Sequence, residues 1–182
     1  MKSTAFTELE KALRARVSEE RFAHSLRVAE LARKIALKNG LDPEKAYLAG
    51  LLHDIAKELP EEELVRLAPP ENEAERAHPK VLHGRAGRVL AERLGVKDPE
   101  VLAAIEGHVV GGSPDFPLGM AVYVADQAEP GRGVNQDLAE RALAGDLVGA
   151  YREAVRRKLA WLRSRGIPLH PKTEEVRARL EG

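Results

Sequence analysis

The sequence predicts an all-α protein, and three observations support that fold class. Good helix formers (Ala, Leu, Arg and Glu) are abundant, whereas aromatic residues make up only 4% of the chain. No segment alternates apolar and polar residues for long enough to indicate a strand. Proline and glycine fall where helices would begin and end. We therefore expect the chain to fold as one helical bundle.

Caps and breakers set the expected boundaries of the helices. Asp-Pro pairs at 42–43 and 98–99 start helices, because Asp caps a helix and Pro suits its first position. Ser18 is a further cap, while Gly40 and Gly166 end helices as left-handed residues. The helices expected from these signals are residues 19–39, 43–57, 61–67, 81–94, 99–108, 118–129, 147–165 and 173–180, with loops at 111–114 and 130–133.

Composition limits the function classes. A chain of 182 residues with 43% apolar side chains can form one core, so residues 1–182 are expected to be a single domain. Twenty-nine basic residues balance 29 acidic ones, so nothing global attracts nucleic acid or an anionic membrane. No apolar run suits a membrane span or a secretory signal, and cysteine is absent. We expect a cytoplasmic protein with no nucleic-acid or membrane partner.

A histidine and a carboxylate stand together in an apolar helical segment. His53 and Asp54 follow the sequence AYLAGLL, and burying both is costly unless each finds a partner. His24 shares a helix face with the apolar Val28 and Ile35. Taken singly, each histidine is explained as a hydrogen-bonded core residue, and Lys57 as a surface ion-pair partner of Asp54.

A metal ion explains the whole set of residues more economically. Asp126 ends another apolar segment far along the chain, as in bundle-core metal sites built from facing helices. Imidazole and carboxylate ligands without thiolate suit iron, manganese, cobalt or zinc.

These residues resemble the H…HD…D signature of the HD-domain metal-dependent phosphohydrolases. The similarity is greatest to the YqeK-type branch, which is associated with symmetrical cleavage of diadenosine tetraphosphate at a di-iron centre. The resemblance implies a helical HD core over about residues 18–132, with C-terminal helices 134–182 packed on it. The segments that carry it are RFAHSLRVA (21–29), AGLLHDIAK (49–57), VLHGRAG (81–87), AIEGH (104–108) and YVADQAEPGR (123–132).

The resemblance also implies roles for individual residues. Asp54 would bridge two metal ions, and Asp54 and Lys57 would be the catalytic residues. Lys57 and Arg132 would contact phosphates, and Arg21 would support the site. Without the resemblance, Arg132 is explained as a solvated loop charge. The implied ligands of the first ion are His24, His53, Asp54 and Asp126, and those of the second are Asp54, His83 and His108.

Other side chains near these motifs have weaker expectations. His78 is a candidate for a phosphate contact or for the proton donor to the leaving group, with an exposed loop histidine as the alternative. Gly84 and Gly87 are expected to allow close helix approach. His170 is expected to be structural or incidental, and Trp161 to serve in packing and not as a base-stacking platform.

The implied activity is hydrolysis of diadenosine tetraphosphate to two ADP by hydroxide held between two metal ions. Iron is the first choice of metal, with manganese, cobalt and zinc as alternatives. Two other functions stay open: a phosphatase of nucleoside mono-, di- or triphosphates, and a helical regulatory module with a structural metal. Residues 109–112 and 119–122 depart from the family pattern and bear on substrate preference. The amphipathic helix 147–165 offers a face for a homodimer.

Overall fold

Helices make up the regular structure of residues 4–181, which are the residues that the computed structural model describes. No strand occurs in this range, so the all-α prediction is confirmed. The α-helices are α1 Thr4–Arg14, α2 Glu19–Lys38, α3 Pro43–Leu52, α4 Glu61–Leu67, α5 Glu73–Ala77, α6 His83–Arg93, α7 Pro99–Gly107, α8 Pro117–Ala128, α9 Gln136–Leu143, α10 Leu147–Ser164 and α11 Pro171–Glu181, and short 3-10 helices span Pro79–Leu82 and Pro130–Arg132.

Helix α8 lies at the centre of the molecule. Nearly all of its residues are buried, because its sequence is apolar on every side. It packs against α2, α3, α7, α9 and α10. Tyr123 on α8 meets Tyr151 on α10 edge to face, and the Tyr151 hydroxyl donates to the carbonyl of Gly111 at 2.6 Å. Asp126 is therefore presented from the most enclosed helix of the fold.

Helices α2 and α3 cross at very short range. A Cβ atom on Gly50 would lie 2.9 Å from the Cα atom of Ala29, so only glycine fits at this crossing. Ala32 and Ala46 are also fully buried there. The close crossing brings His24 on α2 and His53 after α3 to the same space.

The C-terminal helices are tied to the rest by packing and by a few polar contacts. Helix α10 packs on α8 and α9. The Thr173 hydroxyl donates to the carbonyl of Val110 at 2.9 Å, and His170 bonds the buried carboxylate of Glu75 at 2.9 Å. His170 thus has the structural role expected of it. Among the described residues, no helix is both long and apolar enough to cross a bilayer.

Three helices were not expected from the sequence. Helix α1 has apolar residues at helical spacing, and its Leu13 is fully buried. Helix α5 has five residues, too few to show a period. Helix α9 begins after Asn135, whose left-handed φ of 62° is a start signal that sequence rules do not anticipate. The expected loop at 130–133 contains a 3-10 turn, so Arg132 sits on ordered backbone.

Helix α3 ends earlier than expected. The prediction continued it to Lys57, but the helix stops at Leu52 and the chain proceeds through tight turns. The cause is visible at His53, whose ring Nδ1 lies 2.6 Å from the Gly50 carbonyl. In a continuing helix, that carbonyl would accept from the backbone N–H of residue 54. The early stop leaves His53 and Asp54 at the end of the helix.

Candidate metal centre

Three histidines have the same local arrangement. In each, ring Nδ1 lies against the backbone carbonyl three residues earlier: His53 on Gly50 at 2.6 Å, His83 on Lys80 at 2.6 Å and His108 on Ile105 at 2.8 Å. A carbonyl oxygen can only accept, so Nδ1 carries a proton, and in the neutral ring Nε2 then presents a lone pair. Since each of these bonds forms where a helix begins or ends, the backbone fixes the direction of all three lone pairs.

His24 is held differently, because it lies inside α2, where the helix uses the carbonyls. Its Nδ1 faces Glu129 at 3.5 Å, and that carboxylate accepts from Arg27 Nε at 2.5 Å. Glu129 is almost fully buried. Sequence reasoning missed Glu129; the available signal was an acidic residue in an apolar segment, three positions after Asp126. This carboxylate lies opposite His24 Nδ1, as the carbonyls lie opposite Nδ1 of the other rings, but at a longer distance than those hydrogen bonds.

The first group of donors comprises His24, His53, Asp54 and Asp126. His24 Nε2 lies 3.0 Å from Asp126 Oδ1 and 3.6 Å from Asp54 Oδ2. His53 Nε2 lies 3.3 Å from each of the same two oxygens. Ligands about 2.1 Å from a shared ion, at angles of about 90–110°, are about 3.0–3.4 Å apart. Three of the four spacings fall in this range and the fourth, from His24 Nε2 to Asp54 Oδ2, is slightly longer, so the donors suit the coordination shell of one ion.

The second group comprises Asp54, His83 and His108. Asp54 Oδ1 lies 3.2 Å from His108 Nε2 and 3.5 Å from His83 Nε2, and the two Nε2 atoms are 3.2 Å apart. Asp54 thus turns one oxygen toward each group. The structure brings together the six side chains that the sequence analysis assigned to metal ions, with Asp54 between the two groups.

The arrangement fits a pair of divalent cations. His83 Nε2 and His108 Nε2 face each other at 3.2 Å, and when both rings are neutral with Nδ1 protonated, their two lone pairs meet unless a cation lies between them. His53 Nε2 is buried and has no hydrogen-bond partner. Nitrogen and oxygen donors without sulfur suit iron, manganese, cobalt or zinc.

Electrostatics of the cluster favour ionised carboxylates. Burial opposes ionisation of Asp54, but when protons instead of metal ions occupy the histidines, the charge of His53 and hydrogen bonds from the surrounding rings outweigh burial and hold the pKa of Asp54 well below its usual range. Asp126 shows the same balance, with burial outweighed mainly by His53, and its pKa is also well below the usual range. Arg21 Nη1 donates to Asp54 Oδ2 at 2.9 Å, which agrees with the supporting role expected of Arg21.

A cavity of about 320 Å³ opens beside the two groups and is lined by basic side chains. Lys57 is exposed at its edge. Arg132 Nη2 donates to Asp126 Oδ1 at 3.1 Å, so part of its guanidinium is already engaged. Lys158 on α10 also lines the cavity. The sequence did not predict this, because the side chain reaches the cavity only through the packing of α10 against α8. We call this space, lined by Arg21, Asp54, Lys57, His83, His108, Val109, Tyr123, Asp126, Gln127, Arg132 and Lys158, the metal cavity.

His78 and Trp161 do not line the metal cavity. Both line a neighbouring cavity, where His78 is exposed. The structure therefore does not support a phosphate contact by His78 within the metal cavity. Trp161 was expected to be a packing residue, but 45% of its surface is exposed. It lies toward the end of α10, beyond the reach of the core.

Comparison with known proteins agrees with this geometry. The chain is 41% identical over 127 residues to a probable nicotinate-nucleotide adenylyltransferase/Ap4A hydrolase of Mycoplasma genitalium, which covers 68% of this chain and 36% of that protein. The chain thus spans about a third of this relative's length. It is 33% identical over 165 residues to a symmetrical bis(5'-nucleosyl)-tetraphosphatase of Staphylococcus aureus, covering 87% of this chain and 85% of the relative.

The fold comparison extends over almost the whole chain. A crystal structure of a predicted HD superfamily hydrolase involved in NAD metabolism, from Clostridium acetobutylicum, superposes with a TM-score of 0.88. It is 34% identical and covers 99% of this chain and 97% of its own. The HD domain family matches residues 21–131, a span that contains both donor groups. With the resemblance seen in the sequence thus confirmed, the chain belongs to the HD domain family.

Proposed function

We propose that the protein is a metal-dependent hydrolase that cleaves diadenosine tetraphosphate symmetrically into two ADP. The observation that carries the proposal is the placement of Asp54, whose two oxygens face two separate donor groups beneath a basic cavity. The HD domain implies divalent metal binding. Relatives that align over most of the chain bear the name of this activity.

The basic side chains suit a polyphosphate. Lys57, Arg132 and Lys158 surround the cavity, and their charges offset those of the bound phosphates. Arg21 is bonded to Asp54, so it fixes the bridging carboxylate more than it binds substrate. Bound metal ions supply Lewis acidity and lower the pKa of water toward neutrality.

The reaction balances as a simple hydrolysis. Water adds to one of the two central phosphorus atoms, and the bond from that atom to the central bridging oxygen breaks. One ADP leaves with the bridging oxygen and the other gains the oxygen of water, while the two protons of the water pass to the new terminal phosphate oxygens or to solvent. Lys57 and Arg132 stabilise the charge that develops on the phosphoryl oxygens during this step.

We propose iron as the native metal, with manganese, cobalt and zinc able to occupy the same donors. Elemental analysis of anaerobically purified protein tests this choice, and two equivalents of iron per chain are expected.

A nucleotide substrate also agrees with the cytoplasmic location expected from the sequence.

Incubation of the purified protein with diadenosine tetraphosphate and iron or manganese tests the activity. ADP is expected as the sole nucleotide product. Release of AMP and ATP, or no release, would contradict the proposal. A panel of nucleoside mono-, di- and triphosphates is assayed in parallel. Faster hydrolysis of one of these than of diadenosine tetraphosphate would identify the protein as a phosphatase instead.

A variant of Asp54 separates the enzyme from a regulatory module, because the module would keep its ligand or partner binding unchanged. Asp54→Asn keeps the shape of the side chain but removes its charge from both donor groups, so turnover and metal content should fall together. Full turnover of a folded Asp54→Asn protein would refute the role of Asp54.

A further inference from the structure

We propose that the apolar cavity next to the metal cavity binds the nucleobase of the substrate, with Trp161 as the surface on which the base stacks. This inference rests on the proposed function, because it names where one nucleoside of a dinucleoside polyphosphate would lie. The apolar cavity has a volume of about 240 Å³. Its walls include Val81, Val109, Val110, Trp161, Leu162 and Ile167.

The two cavities adjoin each other. Val109 and Lys158 line both of them, so a ligand can extend from one into the other. The metal cavity is lined largely by charged groups, whereas the walls of the neighbouring cavity are mainly aliphatic and aromatic. A nucleotide has the same division, with anionic phosphates at one end and a flat, weakly polar base at the other. The metal cavity therefore suits the phosphates, and the adjoining apolar cavity suits the base.

Trp161 supplies the stacking surface. The Trp161 indole is 45% exposed at the edge of an apolar cavity, and Lys158 and Arg165 lie over its ring. A planar base that stacks on the indole takes the place of one of these cations. Bases stack on aromatic side chains with little dependence on base identity. This assigns to Trp161 a role that the sequence analysis had set aside.

Lys158 stands where the two parts of the ligand would meet. Its ammonium lies 4.7 Å from the centre of the Trp161 ring and also lines the metal cavity. One cation can therefore contact both a phosphate and the face of the indole. His78 lines the apolar cavity as well, which places it near the nucleoside end of the ligand and away from the metal ions.

The single tryptophan of the chain makes the proposal directly measurable. Emission of Trp161 is recorded while ADP is added to the metal-loaded protein, with inorganic pyrophosphate as the probe that lacks a base. ADP is expected to quench the emission and pyrophosphate to leave it unchanged. Inhibition of turnover by ADP with unchanged emission would overturn the proposal.

A set of variants tests the same point by kinetics. Trp161→Ala should raise KM for diadenosine tetraphosphate about tenfold, equal to about 1.4 kcal/mol, with kcat changed less than twofold. Trp161→Phe keeps an aromatic face and should restore most of the affinity. Val148→Ala removes another exposed apolar side chain from α10 and is the matched control, with unchanged KM expected.

The outcomes separate this proposal from the proposed function. Hydrolysis of the dinucleotide with KM unchanged in Trp161→Ala overturns the base site and leaves the function standing. Quenching by ADP without hydrolysis of the dinucleotide overturns the function and supports a nucleotide site at Trp161.

Discussion

Gly84 allows α6 and α7 to pack closely enough for His83 and His108 to lie in one donor group. We expect the methyl group of Gly84→Ala to separate the two helices and to disrupt that group. A Cβ atom at position 84 would lie 2.5 Å from the backbone oxygen of Glu106 and 3.1 Å from Val109 Cγ2. Real Cβ contacts are essentially never shorter than 3.0 Å, so Gly84→Ala must move α6 away from α7 by at least 0.5 Å. His83 adjoins residue 84, and His108 lies two residues beyond Glu106. When α6 and α7 move apart, the distance between His83 and His108 therefore increases.

The size of the effect follows from the tolerance of metal sites. Metal–ligand distances must stay within about 0.2 Å of their ideal values. The shift expected for Gly84→Ala exceeds this tolerance, so the variant should no longer bind the second metal ion. Overpacking costs about 1–3 kcal/mol, which lowers the Tm by about 2–12 °C in a chain of this length. Hydrolysis should fall by about a hundredfold, the usual result of misplacing a reacting group. The first donor group lies on other elements and should still bind metal.

The assays are metal content, turnover and thermal unfolding of Gly84→Ala beside Gly87→Ala. At Gly87 the nearest atom to a Cβ would be Ile105 Cγ2 at 3.4 Å, an ordinary contact, so this control should keep both metals and its activity. Two metals and full turnover in Gly84→Ala would refute the reasoning.

Two further predictions concern the same centre. Glu129→Gln weakens the support of His24 Nδ1 and should lower metal affinity about 10–100-fold. Glu30→Gln, at a half-buried position of α2, is the control and should leave metal affinity unchanged; equal metal titrations of the two variants would contradict this. Removal of the metals by a chelator should lower the Tm by about 5–10 °C for each ion lost, because one ion at a free concentration a hundredfold above its Kd stabilises the fold by about 2.7 kcal/mol. An unchanged Tm after verified loss of metal would count against metal binding to the folded state.

Much of the fold was predictable because its signals are local. The Asp-Pro starts at 42–43 and 98–99 cap α3 and α7, with Asp42 and Asp98 accepting from the first turn as expected. The buried stripe of His24, Val28 and Ile35 on α2 is also confirmed. His24, His53, Asp54 and Asp126 could be grouped as metal candidates from their apolar surroundings, whereas His83 and His108 were assigned to a metal ion only through the resemblance to a family.

The parts that were not predictable depend on contacts between distant segments. Glu129 supports His24 across 105 positions of sequence, and Lys158 reaches the metal cavity only because α10 packs on α8. The end of α3 depends on a side-chain bond from His53 to its own helix, which competes with the backbone ladder. Periodicity carries no information about any of these interactions.

The bonds from His53, His83 and His108 to carbonyls three residues earlier have a consequence for how the ions are acquired. Because the polypeptide orients these rings by itself, loading requires little rearrangement and no disordered loop has to close over the ion. Such a prearranged site discriminates weakly among first-row transition metals of similar radius, which differ more in abundance than in fit. Where iron is in supply the protein should therefore carry iron, as proposed above, and an excess of manganese, cobalt or zinc should replace it at the same donors and change the rate of turnover.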